Sequence, residues 1–384
     1  MITVLIVFGT RPEAIKLAPV IRAINQTTSW RSVTACSSQH TDMLTPLIQQ
    51  LKIPIDFDLQ VMSDRQTPSD VLEKVLVGLQ RILTQTRPDL VLVQGDTTTA
   101  LAGALAASYQ RIPVGHVEAG LRTGNRFSPF PEELNRRLIA QTAQLHFAST
   151  RANARTLRNE GIDPDCIYTT GNTGVDSLKH TLSSSKASDS LLRLLDKLRD
   201  KRIVTLTTHR RENFGDVMTG HLRCMREFVD RYPDVAVIFP VHPNPNVSEV
   251  AYRELQGQSG MHLIEPLAYS DFVHLLSQSW LIVSDSGGIV EEAPTLGKPV
   301  AVLRDTTERS EAVECGVARL AGHSPERLRA ILEDAMDSDR WAQAARRVIN
   351  PFGSGDASHR IVTAIQSQFG PNWNIRHESR RTAV

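Results

Sequence analysis

Residues 4–16 read VLIVFGTRPEAIK, an uninterrupted apolar run followed by a glycine and then Thr10, Arg11, Pro12, Glu13 and Lys16. A short apolar run without polar alternation is the pattern of a strand buried on both faces, as in a parallel sheet. The residues after Gly9 open a helix. Thr10 and Glu13 match a capping box, and Pro12 suits a first turn whose amides have no intrahelical partner. Capping accounts for Thr10, Pro12 and Glu13 and leaves over Arg11 and Lys16, two cations where the helix dipole disfavours them. An anion docked at this strand end would offset that cost.

The same unit recurs along the chain. Apolar runs at 33–37, 90–94, 114–117 and 145–148 form a first series with 4–8, and 203–207, 235–239, 262–264, 281–284 and 300–303 form a second. Helical patterns such as 14–25, 98–109 and 135–144 lie between most of them. Two series of buried strands spaced by helices predict an α/β chain of two Rossmann-like domains. The division falls after the first series closes, giving domains 1–171 and 172–384. The polar run 183–190 reads as a loop inside the second domain. A last helix is expected over 358–368, followed by a basic tail.

At 384 residues the chain is longer than one core usually grows, which agrees with two domains. Hydrophobic residues make up 41% and charged residues 22%, ordinary for a soluble globular protein. A net charge of +1 argues against nucleic acid or an anionic membrane surface as the main partner. Any anion site must be built locally. Cys36, Cys166, Cys224 and Cys315 are scattered and form no CxxC pair, which fits a reducing compartment and argues against a structural zinc. The apolar opening is too short for a signal-peptide core, and no stretch approaches the roughly 18 apolar residues of a membrane helix. The expected location is cytoplasmic.

Ligands in open parallel sheets bind beyond the carboxyl ends of the strands, so the polar residues after each run carry the functional reading. After 90–94 comes Gly95-Asp96, where Asp96 could be a helix cap. Glu118 stands between a short apolar strand and a glycine, a place that favours a glutamate neither as strand former nor as turn former. Glu132 opens a helix, where acids suit the dipole. Together these three carboxylates lie at neighbouring strand ends, and converging carboxylates push their proton affinities apart, as an acid and a base require. In the second half His209 stands beside two arginines, and its charge can change near neutral pH. Ser286-Gly287-Gly288 opens a helix after a buried strand and lets backbone amides approach a phosphate; Glu292, one turn on, could accept from ribose hydroxyls. The phosphate-loop and dinucleotide fingerprints are missing, and no His or acidic spacing suggests a metal site. The inference is a nucleotide diphosphate conjugate held mainly by the second domain, with its reacting group facing carboxylates of the first.

With these residues assembled, the chain resembles the non-hydrolysing UDP-N-acetylglucosamine 2-epimerase family. The matching stretches are FGTRPEAIKLAPV, QGDTTTAL, PVGHVEAGLRTG, SPFPEELNRRL, TGNTGVD, HRRENFG, PVHPNPNV, SDSGGIVEEAP and GKPVAVLRDTTER, in order from Phe8 to Arg309. The resemblance implies a glycosyltransferase-B-like fold, two Rossmann-like domains facing across a cleft with the last helix returning to the first. It implies reversible conversion of UDP-GlcNAc to UDP-ManNAc by elimination of UDP to a 2-acetamidoglucal and re-addition, in polysaccharide biosynthesis. Asp96, Glu118 and Glu132 match the family's acid/base positions, and His209 matches the histidine near the phosphates. Arg11, Lys16, Ser286, Gly287, Gly288, Glu292 and Arg309 match its nucleotide-sugar contacts, and Phe272 falls where an aromatic flanks the uracil. No cofactor and no metal is implied, and a homodimer is. Gln39, His40, Arg65, Arg210 and His242 match a second, activating UDP-GlcNAc site of some bacterial members, although Thr41-Asp42 departs from its pattern. Thr208 stands where many members have Gly, and Val290 where Gln is usual. Alternatives in the same fold are a hydrolysing epimerase releasing UDP and ManNAc, an epimerase of a diacetamido uronic acid nucleotide, a glycosyltransferase, and a nucleotide-sugar binding protein without turnover.

Overall fold

The computed structural model describes residues 1–38, 41–63 and 66–369. The chain forms two compact units, one of Met1–Ser177 together with the segment from Phe352 onward, the other of Leu178–Pro351. The units part inside the helix Thr173–Ser184, a few residues beyond the 171/172 division read from the sequence.

The first unit holds strands β1 (Ile2–Phe8), β2 (Trp30–Cys36), β3 (Phe57–Asp58), β4 (Leu90–Gln94), β5 (Val114–Ala119), β6 (Leu145–Ala148) and β7 (Ile167–Thr169). They form one sheet in the order β3-β2-β1-β4-β5-β6-β7, every pair parallel. The second unit holds β8 (Arg202–Thr207), β9 (Val235–Pro240), β10 (Met261–Ile264), β11 (Leu281–Ser284), β12 (Val300–Val302) and β13 (Ala318–Leu320), ordered β10-β9-β8-β11-β12-β13 and again parallel. Each sheet reverses its direction of growth once, between β1 and β4 in the first and between β8 and β11 in the second. Those are the switch points at which loops diverge and leave room for a ligand.

The cores are built by the apolar runs. Leu5, Val7, Val91 and Val93 in the first sheet, and Val204, Leu206, Val237 and Val283 in the second, are wholly buried. Each such side chain contributes about 1.5–3 kcal/mol through burial. The central strands have no polar face because helices cover both sides. The helix Ala357–Gln368 belongs to the first unit and packs on the helix Arg11–Asn25. Asp176 anchors it, accepting from the amides of Ala357 at 3.1 Å and Ser358 at 2.8 Å and from the Ser358 hydroxyl at 2.6 Å.

The polar run 183–190 is not a loop throughout. Ser183 and Ser184 close the helix Thr173–Ser184, and Ser188 caps the helix Asp189–Lys197 by accepting from the Leu191 amide at 3.3 Å. Serines that read as loop formers act here at helix termini. Among the described residues, no helix is long and apolar enough to cross a membrane.

Candidate active site

The β1 turn is built on Glu13. This buried carboxylate accepts from the amides of Gly9 at 3.0 Å and Thr10 at 2.8 Å and from the Thr10 hydroxyl at 2.8 Å. Its other oxygen accepts from the Thr97 hydroxyl at 2.6 Å, tying the turn after β1 to the turn after β4 across the switch point. Burial pushes the Glu13 carboxyl above its ordinary value against these hydrogen bonds. Gly9 has no alternative here, because a Cβ would stand 1.8 Å from Ser37 Oγ. Arg11 begins the helix at this turn and is partly exposed. Lys16, on its buried side, pairs with Glu118. Much of the cost of a cation in the first turns is thus met by a carboxylate of the protein itself.

Glu118 lies inside β5 rather than beyond it, at an irregularity in the pairing with β6 between Val117 and Ala119. Its φ is +65°, the left-handed region that a side chain with a Cβ rarely enters. Such a conformation costs about 1–3 kcal/mol and persists where the surroundings over-determine it. Lys16 Nζ and Asn172 Nδ2, the latter at 2.7 Å, both reach Glu118 Oε2. Asn172 is itself fixed: its Oδ1 accepts from the Gly174 amide at 2.8 Å and its own amide donates to Phe352 O at 2.6 Å.

Gln94 pairs with Val117, so the turn carrying Asp96 leaves its strand beside Glu118. Arg136 Nη2 bonds Asp96 Oδ2 at 2.6 Å and Asn135 Nδ2 donates to the Asp96 carbonyl at 2.9 Å. Both belong to the helix Glu132–Thr142, whose first residue is Glu132. Glu132 Oε2 is buried and accepts no hydrogen bond from the described residues. His116, one register step back in β5, bonds the Gly95 carbonyl through Nε2 at 2.7 Å and so braces the same turn. Complete burial holds the His116 imidazole down at about 3, and it is neutral. The three carboxylates thus stand inside β5, in the turn after β4 and at the start of the helix Glu132–Thr142, with unlike surroundings: an ammonium and an amide for Glu118, a guanidinium for Asp96, and a buried oxygen that accepts no hydrogen bond from the described residues for Glu132.

In the second unit the organising group is Asp285, at the end of β11. Its Oδ2 accepts from the Thr208 hydroxyl and the amides of His209 and Arg210, each at 2.8 Å, and from Asn213 Nδ2 at 3.1 Å. Burial raises the Asp285 carboxyl, but the charge of His209 and the amides of Arg210 and His209 outweigh it and hold it below the ordinary value. The β8 loop is thereby wrapped around one carboxylate. His209 stacks on His242, ring centroids 5.6 Å apart and 16° from parallel.

Ser286 stands at the N-cap position of the helix Gly287–Leu296 without a side-chain capping hydrogen bond, and its amide donates to Ser284 Oγ at 2.8 Å. Arg309 lies against this helix start. It pairs with Glu291 at 2.6 Å and Glu308 at 2.7 Å. A Cβ on Gly287 would come within 2.6 Å of Arg309 Nη1, so a side chain there would shift the guanidinium from its place. Glu308 also pairs with Arg304 at 2.9 Å, and despite burial the two arginines hold its carboxyl far below the ordinary range. Glu292 is buried in the helix, and Phe272 is half-buried on the helix Tyr269–Gln278. The arrangement is a helix start with small residues beside a rigidly held guanidinium, which suits a diphosphate.

Sequence comparison decides the family: the family model for UDP-N-acetylglucosamine 2-epimerase matches residues 22–366. The chain belongs to the UDP-N-acetylglucosamine 2-epimerase family. The Bacillus subtilis UDP-N-acetylglucosamine 2-epimerase is 44% identical over 371 residues, 96% of each chain. Among solved structures, the Neisseria meningitidis UDP-GlcNAc 2-epimerase bound to UDP-GlcNAc matches with a TM-score of 0.91 at 40% identity, covering 95% of this chain and 100% of that one. Staphylococcus aureus MnaA, solved with UDP, matches with a TM-score of 0.91 at 40% identity, covering 97% and 98%. The fold class is accordingly the glycosyltransferase-B-like α/β class with two Rossmann-like units.

Family membership does not by itself assign the residues. Of the five positions matched to an activating site, Gln39, His40 and Arg65 lie outside the described residues. The other two, Arg210 and His242, sit against Asp285 and His209 respectively, within the same loop cluster as the histidine matched to the phosphates. Burial, with Arg304 and Arg309 near, lowers the Arg210 guanidinium. The sequence reading missed Asn172, Asp285 and His116 as site builders. Only their place in quoted motifs marked them.

Proposed function

We propose that this chain interconverts UDP-GlcNAc and UDP-ManNAc at C2 without net hydrolysis. The observation that carries the reading is the set of three carboxylates on linked elements: Glu118 in left-handed backbone within β5, bonded by Lys16 and Asn172, Asp96 in the turn after β4, and Glu132 at the start of the helix whose Asn135 and Arg136 bond Asp96. Inverting a carbon with no readily ionised proton needs one group to remove a proton and another to return it on the opposite face. In the proposed elimination the C2 proton passes to a carboxylate, the C–H electrons become the C1=C2 bond, and the C1–O bond breaks with its pair leaving on UDP. Re-addition of UDP to the 2-acetamidoglucal, with a proton delivered to the other face of C2, completes the inversion. Asp96, Glu118 and Glu132 share these proton transfers. His209, Arg309 and the Ser286-Gly287-Gly288 helix start serve the diphosphate, whose developing charge is the second half of the barrier. The family assignment and the bound UDP-GlcNAc of the Neisseria enzyme support the substrate class.

The test is to incubate purified protein with UDP-GlcNAc and follow the phosphorus NMR signals. A new UDP-sugar signal at equilibrium with the first, and no stoichiometric UDP, is the expected outcome. Quantitative UDP with free ManNAc would replace this reading by the hydrolysing one.

A further inference from the structure

Asp285 does more than cap a loop. Its Oδ2 is saturated by four donors of the β8 loop, while Oδ1 is buried and accepts no directed hydrogen bond. The group Oδ1 faces is the His209 ring, with Nδ1 3.3 Å away. A buried carboxylate oxygen that accepts no hydrogen bond from the described residues and faces an imidazole nitrogen is an arrangement that fixes which ring nitrogen carries the proton. The second neighbour of the ring is His242, whose Nδ1 accepts from the Asn244 amide at 3.2 Å, a role an imidazolium cannot fill. His242 therefore presents a neutral face to His209. On its own loop His209 is followed by Arg210, whose Nε donates to the Asp285 carbonyl at 3.1 Å and whose charge is met by Glu308 among Arg304 and Arg309. The carboxylate paired with the His209 ring is that of Asp285, which also acts on Arg210 and on His221.

We propose that Asp285 is the positioning residue for His209, holding the imidazole with Nδ1–H toward the carboxylate so that Nε2 is the nitrogen presented to the substrate diphosphate. The inference rests on the reading that His209 serves the departing UDP. The attraction between the two groups acts on both: as His209 depresses the Asp285 carboxyl, Asp285 favours the imidazolium. A cationic His209 donates from Nε2 to the leaving phosphate oxygen. In the neutral state the same ring accepts there, so the proton can be taken up and returned as UDP departs and re-adds.

The experiment is a pH titration of the wild-type protein with nitrogen-15 histidine, with His209→Gln used to assign the signal. At high pH His209 is expected in the Nδ1–H tautomer, and a dominant Nε2–H tautomer would overturn the proposal. In Asp285→Asn the His209 midpoint is expected to fall by about one unit, the size typical of losing an adjacent opposite charge. In Thr208→Val, which removes a different hydrogen bond from Asp285 but no charge, the midpoint is expected to stay. An unchanged midpoint in Asp285→Asn, or an equal fall in both variants, would overturn the proposal. Should Asp285→Asn fail to fold, the wild-type tautomer decides. Turnover supplies a separate arm: Asp285→Asn is expected to lower kcat by about tenfold or more with a smaller change in KM. The titration needs no turnover, so failure of the epimerase reading and failure of this one are told apart.

Discussion

Two buried histidines make the first unit acid-sensitive, and their surroundings set the size of the effect. His116 and His146 are paired neighbours on β5 and β6, both almost wholly buried. Burial holds them at about 3 and about 4 against 6.5 for an ordinary histidine. The folded state thus binds fewer protons than the unfolded chain over that range. Stability is fully present above 6.5 and is lost as pH falls toward the folded values. Linkage converts these shifts into a loss of about 2 kcal/mol for each histidine between pH 7 and pH 5. Glu13, raised by burial, acts in the opposite sense at low pH, so the total slope is a sum of opposing contributions. The clean quantity is a difference between variants. His116→Gln replaces Nε2–H with an amide donor that can still reach the Gly95 carbonyl, but it does not titrate. Urea unfolding at pH 7 and pH 5, read by hydrogen exchange in the peptides of β4 and β5, isolates the first unit. The pH-dependent loss is expected to be smaller in His116→Gln by about 2 kcal/mol. A loss equal in both proteins to within about 0.5 kcal/mol would refute the claim that the folded unit keeps His116 neutral.

Two further outcomes bear on the site. Asp96→Asn, Glu118→Gln and Glu132→Gln are each expected to cut turnover by about two orders of magnitude or more with the fold retained by circular dichroism, as loss of an acid or base group does; a near-normal rate in any one removes that residue from the mechanism. Gly287→Ala places a Cβ within 2.6 Å of Arg309 Nη1 and must displace the guanidinium from Glu291 and Glu308. UDP affinity by calorimetry is expected to weaken about tenfold, and an unchanged affinity would detach Arg309 from the diphosphate.

The buried strands were legible because their chemistry is mostly apolar. The runs at 90–94, 145–148 and 281–284 coincide with β4, β6 and β11, since strands covered on both faces are dominated by apolar residues, His146 in β6 being a buried exception. The edge and near-edge strands β3, β7 and β13 were not seen. They are two or three residues long and include Asp58, Tyr168 and Arg319, so no apolar run announces them. The site divided in the same way. Glu13 was recognised as a cap from its spacing to Thr10, but its bond to Thr97 joins residues far apart in sequence and exists only once β1 and β4 are neighbours. Glu118 stood out as misplaced in a strand, and the structure gives the reason in its positive φ. Asn172 and Asp285 received no role from the sequence because their partners, Glu118 and the 208–213 loop, are more than fifty residues away. Local pattern identifies groups that cap and bury, while groups that hold a catalytic side chain from another loop are visible only in the folded chain.

Transfer of the C2 proton is the central claim, and solvent deuterium reports it most directly. Purified protein is incubated with UDP-GlcNAc in D2O and followed by proton NMR. The account predicts UDP-ManNAc bearing deuterium at C2, and exchange of the C2 proton in the UDP-GlcNAc pool as the reaction reverses. UDP-ManNAc formed with its C2 proton retained, or no conversion at all, would contradict it.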